Sequence, residues 1–221
     1  MASRLILIET STALCSAALA ENGGIVAERR SSEPRAHASL TAPFVASMLD
    51  ECGWKVSGCD AVCVGMGPGS YTGLRVGVST AKGLCFGGDV PLLAVDTLET
   101  LYWQGKPCIP DDCEVVIPMV DARRMEVYTC RYSPDGERLT EIKPFILESV
   151  SRERALIVGD AAEKAVPFFP NATAVQAFPA AAAMLEPAMH ELQAGNFKDV
   201  AYFEPFYLKE FIATVPRKKL F

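Results

Sequence analysis

The chain has 221 residues, a formal net charge of −6 and half of its residues hydrophobic, enough apolar material for one large core or two smaller ones. The acidic balance argues against a protein that grips a nucleic-acid backbone by itself, because phosphate contacts need clustered Lys and Arg. The one basic cluster, Arg217-Lys218-Lys219, reads as a solvated tail.

In chain order, Leu5 to Ile8 is a strand-like run ending in Glu9-Thr10-Ser11-Thr12, and Ala13 to Ala20 reads as a second strand. Asn22-Gly23-Gly24 is a turn signal that brings Ile25 to Arg30 back as a third, so the opening thirty residues form an antiparallel meander. A helix follows from Arg35 to Gly53, with Gly53 as its C-terminal cap and Pro43 either kinking it or marking where it becomes regular. Ala42, Val45, Leu49 and Cys52 lie on one face of it and Leu40, Phe44 and Met48 on a second. Two apolar faces need two covers: the chain's own sheet and next helix, or another subunit.

Ala61 to Val64 is a short apolar strand running into Gly65-Met66-Gly67-Pro68-Gly69-Ser70-Tyr71-Thr72-Gly73, after which helix-like spacing lasts to about Phe86. Strand, glycine loop and helix, capped by Ser70 or Thr72, are compatible with a bare structural turn and with an anion site at a helix N-terminus. The common phosphate motifs do not fit. No Gly-x4-Gly-Lys-Ser/Thr spacing occurs, and a dinucleotide fingerprint from Gly67 would need glycine where Thr72 stands. Gly73, Gly77 and Ala81 recur every fourth residue in the helix, at a cost of about 1 kcal/mol per interior glycine; close approach of another helix would offset it.

Asp89-Val90-Pro91 ends this helix, Leu92 to Val95 is a buried strand leading to Asp96, and Gly105 to Glu114 is linker-like. Then the opening theme returns: strand Val115 to Val120 ending in Asp121, strand Glu126 to Tyr132, a turn at Ser133-Pro134-Asp135-Gly136 and a strand near Ile142 to Leu147. The rest reads as strand Ala155 to Val158, a short helix to Phe169, a strand near Ala174 to Phe178, a helix from Pro179 to Ala194, and an aromatic-rich strand or edge segment from Val200 to Leu208. This repetition of element order predicts an α/β protein of two similar subdomains, 1–104 and 105–221, each with a mixed five-stranded sheet and flanking helices, with the C-terminal segment free to pack back on the first.

The eight cysteines, at 15, 52, 59, 63, 85, 108, 113 and 130 with no Cys-x-x-Cys pair, read as small core residues of a reduced, cytoplasmic protein. Leu5 to Ile8 is too short for the apolar core of a signal peptide, and no run approaches a membrane helix in length. His37 lies alone at a helix start, and reads as a helix-start or interface residue. His190-Glu191-Leu192-Gln193-Ala194 lacks the second histidine of a zinc-protease motif, and no nucleophile elbow or Ser, His and Asp set is visible.

The run Gly67-Pro68-Gly69-Ser70-Tyr71-Thr72-Gly73-Leu74-Arg75-Val76-Gly77 closely resembles the signature of the TsaB (YeaZ) family, bacterial subunits needed to make threonylcarbamoyladenosine in tRNA. The resemblance extends from Leu7-Ile8-Glu9-Thr10-Ser11 through Leu93-Ala94-Val95-Asp96-Thr97-Leu98 and reappears at Asp121-Ala122-Arg123 and Tyr207-Leu208-Lys209. It implies an actin-like, ribonuclease-H-like fold. In active members of that superfamily, strand-end acids hold a metal–nucleotide complex. Glu9, Thr10, Ser11, Gly67, Gly69 and Asp121 would be a vestigial form of that site, or ordinary turn residues. Asp121 and the arginines after it would alternatively pair across the cleft between the halves.

The family's catalytic paralogue, TsaD, carries Asn-His-x-Glu-x-His after the same glycine loop, and the corresponding stretch here is Asp96-Thr97-Leu98-Glu99-Thr100-Leu101. Thr97 and Leu101 replace the histidines, so no catalytic residue and no metal site are expected. The resemblance therefore implies a non-catalytic scaffold subunit of the transfer complex. It would bind and activate a TsaD-like paralogue through Leu40, Phe44, Met48, Gly73, Val76, Gly77, Thr80 and Ala81, with a TsaE-like ATPase as further partner and tRNA met only through the complex. No resident cofactor is expected beyond weak ATP or ADP binding, and self-association of the isolated chain through the same helices stays open. The alternative is an enzyme: a small actin-like ATPase or kinase, or a glycoprotease-like hydrolase.

Overall fold

The structure, a computed structural model, describes residues 3–208; Lys209 and the Arg217-Lys218-Lys219 cluster lie outside the described residues. Among the described residues ten strands form two sheets of five. In the first, β1 (Arg4–Glu9) pairs antiparallel with β2 (Cys15–Glu21), which pairs antiparallel with β3 (Gly24–Ser31). On its other side β1 pairs parallel with β4 (Ala61–Gly65), and β4 with β5 (Leu92–Val95). The second sheet repeats this plan: β6 (Val115–Asp121) is antiparallel to β7 (Glu126–Thr129), which is antiparallel to β8 (Lys143–Ile146), while β6 runs parallel to β9 (Ala155–Gly159) and β9 to β10 (Thr173–Gln176). The duplication expected from element order is present, and the architecture is the α/β, actin-like fold of two mixed five-stranded units.

Alternation along β1 explains why its run is apolar throughout. Ile6 and Ile8 face a core shared with α1 (His37–Cys52) and α2 (Tyr71–Gly88), in which Val45, Met48, Val64, Val78 and Ala81 are buried. Leu5 and Leu7 face the opposite layer, closed by Ala181, Met184 and Ala188 from a 3-10 turn, Ala181–Met184, and α5 (Leu185–Ala194). A central strand buried on both faces has no polar side to show. In the second unit one sheet face is covered by the single-turn α4 (Ala162–Ala165). The other takes Leu98, Leu101 and Tyr102 of α3 (Thr97–Gly105). Packing thus crosses the chain-order division at 104/105 in both directions.

Gly53 caps α1 in the left-handed conformation, as its position suggested, and Ser70 caps α2 by accepting from the Gly73 amide. Three local expectations need correction. The stretch after Asp96, for which no element is predicted, forms α3, and Asp96 caps it by accepting from the Glu99 amide at 2.7 Å. The two apolar faces of α1 resolve into one buried stripe, Thr41, Val45, Met48 and Leu49, with Ala42 exposed. Val200 to Leu208 is not a strand. It crosses α2 as a strap, with Lys82 Nζ donating to the Ala201 and Phe203 carbonyls, Tyr207 against Tyr71 with ring centroids 5.0 Å apart, and the Phe206 amide bonded to the Met66 carbonyl. The aromatics that suggested an edge strand are the strap's contacts with the helix.

Candidate functional site

The C-terminal ends of β1, β4 and β5 meet the glycine loop at one pole of the first sheet. Glu9, Thr10 and Ser11 are fully buried there. Glu9 Oε1 accepts from the Ser11 amide at 2.6 Å, whereas Glu9 Oε2 has no hydrogen-bond partner and lies against Gly65, where a Cβ would stand 2.3 Å from it. Burial pushes the Glu9 carboxyl up to about 7, against the smaller lowering effect of the Ser11 contacts. The Thr10 hydroxyl donates to the Gly73 carbonyl at 2.8 Å, and the Ser11 carbonyl accepts from the Ser70 amide at 2.6 Å. At Gly67 the backbone is left-handed (φ 106°), and a Cβ would stand 2.9 Å from the Phe206 carbonyl, so the loop leaves room for the strap.

Of the residues assigned to a vestigial nucleotide site, Glu9, Thr10, Ser11, Gly67 and Gly69 come together at this pole. There the first three are closed in by the glycine loop rather than presented to solvent. Asp121 belongs to the second unit. It is exposed and takes the Lys164 ammonium at 2.6 Å and the Arg123 amide at 2.7 Å, with its own amide bonded to Asp160. The pairing across the cleft envisaged for it is therefore a pairing within its own half. Asp160, half-buried beside Asp121, is pushed up to about 6, chiefly by the loss of solvent around it.

The expected partner face divides. Gly73 and Gly77 are buried against β1, not against another helix: a Cβ at Gly73 would stand 2.1 Å from the Thr10 carbonyl, and one at Gly77 2.2 Å from Thr10 Oγ1. Ala81 and Met48 are fully buried in the core. These four are covered by the chain's own core, and the four-residue spacing of Gly73, Gly77 and Ala81 lets α2 lie close to Thr10, just past the end of β1. Leu40, Phe44, Val76 and Thr80 are half-buried. The outward side of α2 carries two glycines that spacing had not singled out as surface positions, Gly83 and Gly87, where a Cβ would meet nothing within 4 Å. On α1, Ala38, Ala42 and Ala46 are exposed.

Thr97 and Leu101, which the family resemblance sets against the paralogue's histidines, are buried. His37 Nε2 donates to the Thr12 carbonyl at 3.0 Å, which makes it a helix-start residue tied to the β1–β2 loop, and His190 lies edge-on to Trp103. Among the described residues no group of three or more His, Cys, Asp or Glu side chains could hold a metal ion, and no helix is long and apolar enough to cross a membrane.

Sequence reasoning missed one cluster entirely. Asp96 is buried, and its Oδ2 accepts from Arg138 Nη2 of the second unit. Glu99 Oε2 is 3.6 Å from the same nitrogen, and the Tyr132 hydroxyl accepts from Arg138 Nε at 3.0 Å. Burial, then the neighbouring Asp96 charge, raise Glu99 to about 7; burial raises Asp96 against the pull of Arg138. Asp96 and Arg138 lie in different halves with no shared motif, so no spacing rule could have joined them.

Residues 7–211 match the family model described as TsaD: tRNA N6-adenosine threonylcarbamoyltransferase. The chain is 34% identical over 135 residues to the tRNA threonylcarbamoyladenosine biosynthesis protein TsaB of Escherichia coli strain K12, covering 60% of this chain and 56% of that protein. It is 34% identical over 140 residues to the protein of the same description in Bacillus subtilis strain 168, covering 63% and 59%. The chain thus spans little more than half the length of these curated relatives. It also aligns with YeaZ from Pseudomonas aeruginosa at a TM-score of 0.81 and 29% identity, over 93% of this chain and 100% of that one.

Proposed function

The chain belongs to the family described as tRNA N6-adenosine threonylcarbamoyltransferase, similar within it to TsaB, and we propose that it serves threonylcarbamoyladenosine formation in tRNA as a non-catalytic subunit that binds and activates a TsaD-like, histidine-bearing paralogue. The observation that carries this reading is the burial of Thr97 and Leu101 where the paralogue's metal histidines would stand. Neither side chain offers the imidazole nitrogens of that metal site. Glu9 points the same way: a carboxylate sealed under the glycine loop and pushed up to about 7 is poorly placed to hold a hydrated metal–nucleotide complex. On this reading the chain carries no resident metal or cofactor, ATP or ADP binds at most weakly, a TsaE-like ATPase joins the complex, and tRNA is held mainly by the other chains.

The paralogue's docking face is the outer side of α2 with the flanking residues of α1, made of the half-buried Leu40, Phe44, Val76 and Thr80 with the exposed Gly83 and Gly87. Small exposed side chains let helices of a partner lie close, and the isolated chain can self-associate over the same face. Gly83→Trp is expected to leave the melting temperature of the isolated chain unchanged and to cost on the order of 2 kcal/mol or more in binding to the paralogue, read by calorimetric titration. Normal binding by a folded Gly83→Trp protein would remove this face from the interface.

The direct test is reconstitution with tRNA, threonine, bicarbonate, ATP and the other subunits. Threonylcarbamoyl transfer is expected only when the histidine-bearing paralogue is present, and to fall when this chain is left out. Robust turnover by this chain alone, lost on changing Glu9 or Asp121, would support instead an actin-like ATPase, kinase or glycoprotease-like hydrolase.

A further inference from the structure

The chain carries a formal net charge of −6, and Arg4, Arg29, Arg30, Arg131, Arg138 and Arg154 are each neutralised where they stand by a carboxylate. Arg123 and Arg124, in the turn that joins β6 to β7, are not. Both are exposed, and among the described residues neither guanidinium has an ion-pair or hydrogen-bond partner. Both also have left-handed backbone angles, φ 71° and 51°, a conformation that glycine adopts freely and a residue with a Cβ adopts only under strain. Two consecutive arginines in this conformation need a brace.

Lys164 of α4 supplies it. Its ammonium donates to Asp121 Oδ1 at 2.6 Å, to the Arg124 carbonyl at 3.0 Å and to the Glu126 carbonyl at 2.9 Å. Asp121 Oδ1 also accepts from the Arg123 amide at 2.7 Å, and the Asp121 amide is fixed by Asp160 Oδ1 at 2.8 Å. The Ala122 and Glu126 amides close the turn on the Glu126 and Arg123 carbonyls. This brace has two effects. It fixes the turn, so that little further ordering is needed when a ligand arrives, and it engages Asp121, the carboxylate that would otherwise draw in a guanidinium. What remains is a rigid turn that presents two unpaired, fork-shaped donors to solvent.

We propose that this turn is the chain's own contact with tRNA, binding backbone phosphates when the modification complex takes up its substrate; the inference rests on the function proposed above. Guanidinium groups pair bidentately with phosphate oxygens, and a net acidic chain that meets a polyanion must do so where its arginines are not already paired. The turn belongs to the second unit, while α1 and α2 belong to the first, so tRNA and the paralogue do not compete for the same residues.

The test is tRNA binding by the reconstituted complex, followed by fluorescence anisotropy of labelled tRNA over a range of salt concentrations. Arg123→Ala/Arg124→Ala is expected to weaken binding about tenfold at low salt and to flatten the slope of log affinity against log salt by about 1.4–1.8, the loss of two phosphate contacts. Subunit assembly and the thermal midpoint should not change. Arg123→Lys/Arg124→Lys, which keeps the charges and loses the forks, should retain the slope and lose part of the affinity. Lys164→Met, which keeps both arginines and frees Asp121 to pair with them, should weaken tRNA binding in the same direction; normal binding by a folded Lys164→Met chain would overturn the brace. Arg30→Ala/Arg154→Ala removes the same charge from arginines that are already paired, and should leave affinity and slope as they are. Unchanged affinity and slope in the Arg123/Arg124 alanine pair would overturn the proposal. So would an equal loss in the Arg30/Arg154 pair, which would reduce the effect to net charge. Weakened assembly, with normal tRNA affinity of the complex once assembled, would assign the turn to an acidic protein partner and equally end it. A complex that transfers threonylcarbamoyl but binds tRNA regardless of both arginines would remove this inference alone, whereas transfer indifferent to the presence of this chain would remove the proposed function with it.

Discussion

Gly77→Leu is expected to unfold or severely destabilise the isolated chain, by about 3–5 kcal/mol in urea denaturation. A Cβ alone at Gly77 would stand 2.2 Å from Thr10 Oγ1 and 3.5 Å from Val64 Cγ2. A longer side chain must therefore displace α2 from the end of β1 or push Thr10 from its place. Overpacking in a close-packed core costs about 1–3 kcal/mol. Breaking the bond from the Thr10 hydroxyl to the Gly73 carbonyl leaves the buried hydroxyl unpaired, at about 1–3 kcal/mol. Even Gly77→Ala should destabilise, because the helix-propensity gain of up to about 1 kcal/mol cannot offset a contact that real Cβ atoms do not make. Gly83→Ala, six residues later in the same helix and facing open space, should stabilise by up to about 1 kcal/mol. A Gly77→Ala chain as stable as the unmodified one would show that α2 does not lie against Thr10 as described.

Glu9→Gln is expected to raise stability at pH 8 by up to about 3 kcal/mol and to leave it nearly unchanged at pH 4.5. The Glu9 carboxyl ordinarily titrates at 4.5 and is raised by burial to about 7 in the folded chain. The folded state then holds this proton more tightly than the unfolded one. The stability so conferred is complete below the unfolded value of 4.5 and is lost progressively as pH rises through the folded value near 7. Each tenfold gain in proton affinity is worth about 1.4 kcal/mol, so a carboxyl held this far above its ordinary value corresponds to roughly 3 kcal/mol. Glu99, raised to about 7, acts in the same direction over the same window, and Asp160, raised from 3.8 to about 6, in the same direction over a lower one. Glutamine keeps an oxygen to accept from the Ser11 amide and has no charge to desolvate. Unfolding measured from pH 4.5 to 8 should therefore show a flatter profile for the variant. Parallel profiles for the two proteins would mean that Glu9 is hydrated or paired in the folded state.

Much of the molecule was legible in the sequence, because short-range physics wrote it there. The run Leu5 to Ile8, Asn22-Gly23-Gly24, the Gly53 cap, Ser70 at the start of α2 and the repeated meander from Val115 onward each follow from periodicity or backbone preference within a few residues. The duplication was visible in the order of elements, since each unit must solve the same problem of burying a central strand on both faces. The glycine loop, which carried the family resemblance, and the absence of histidines at Thr97 and Leu101, which set the chain apart from the paralogue, were likewise matters of local residue identity.

What the tertiary structure alone decided is which surface each of these residues meets. Spacing shows that Gly73, Gly77 and Ala81 share one face of a helix, but a helix face can be pressed against the chain's own strand or against another protein with the same pattern. Only the position of Thr10 at the end of β1 settles that the glycines lie inside and that Gly83 and Gly87 lie outside. The same reason separates the strap from a strand at Val200 to Leu208, where aromatic residues suit either a sheet edge or a helix groove. It also hid Asp96 and Arg138, whose attraction depends on burial and on the approach of two separately folded units, quantities that a linear pattern of residue types does not contain.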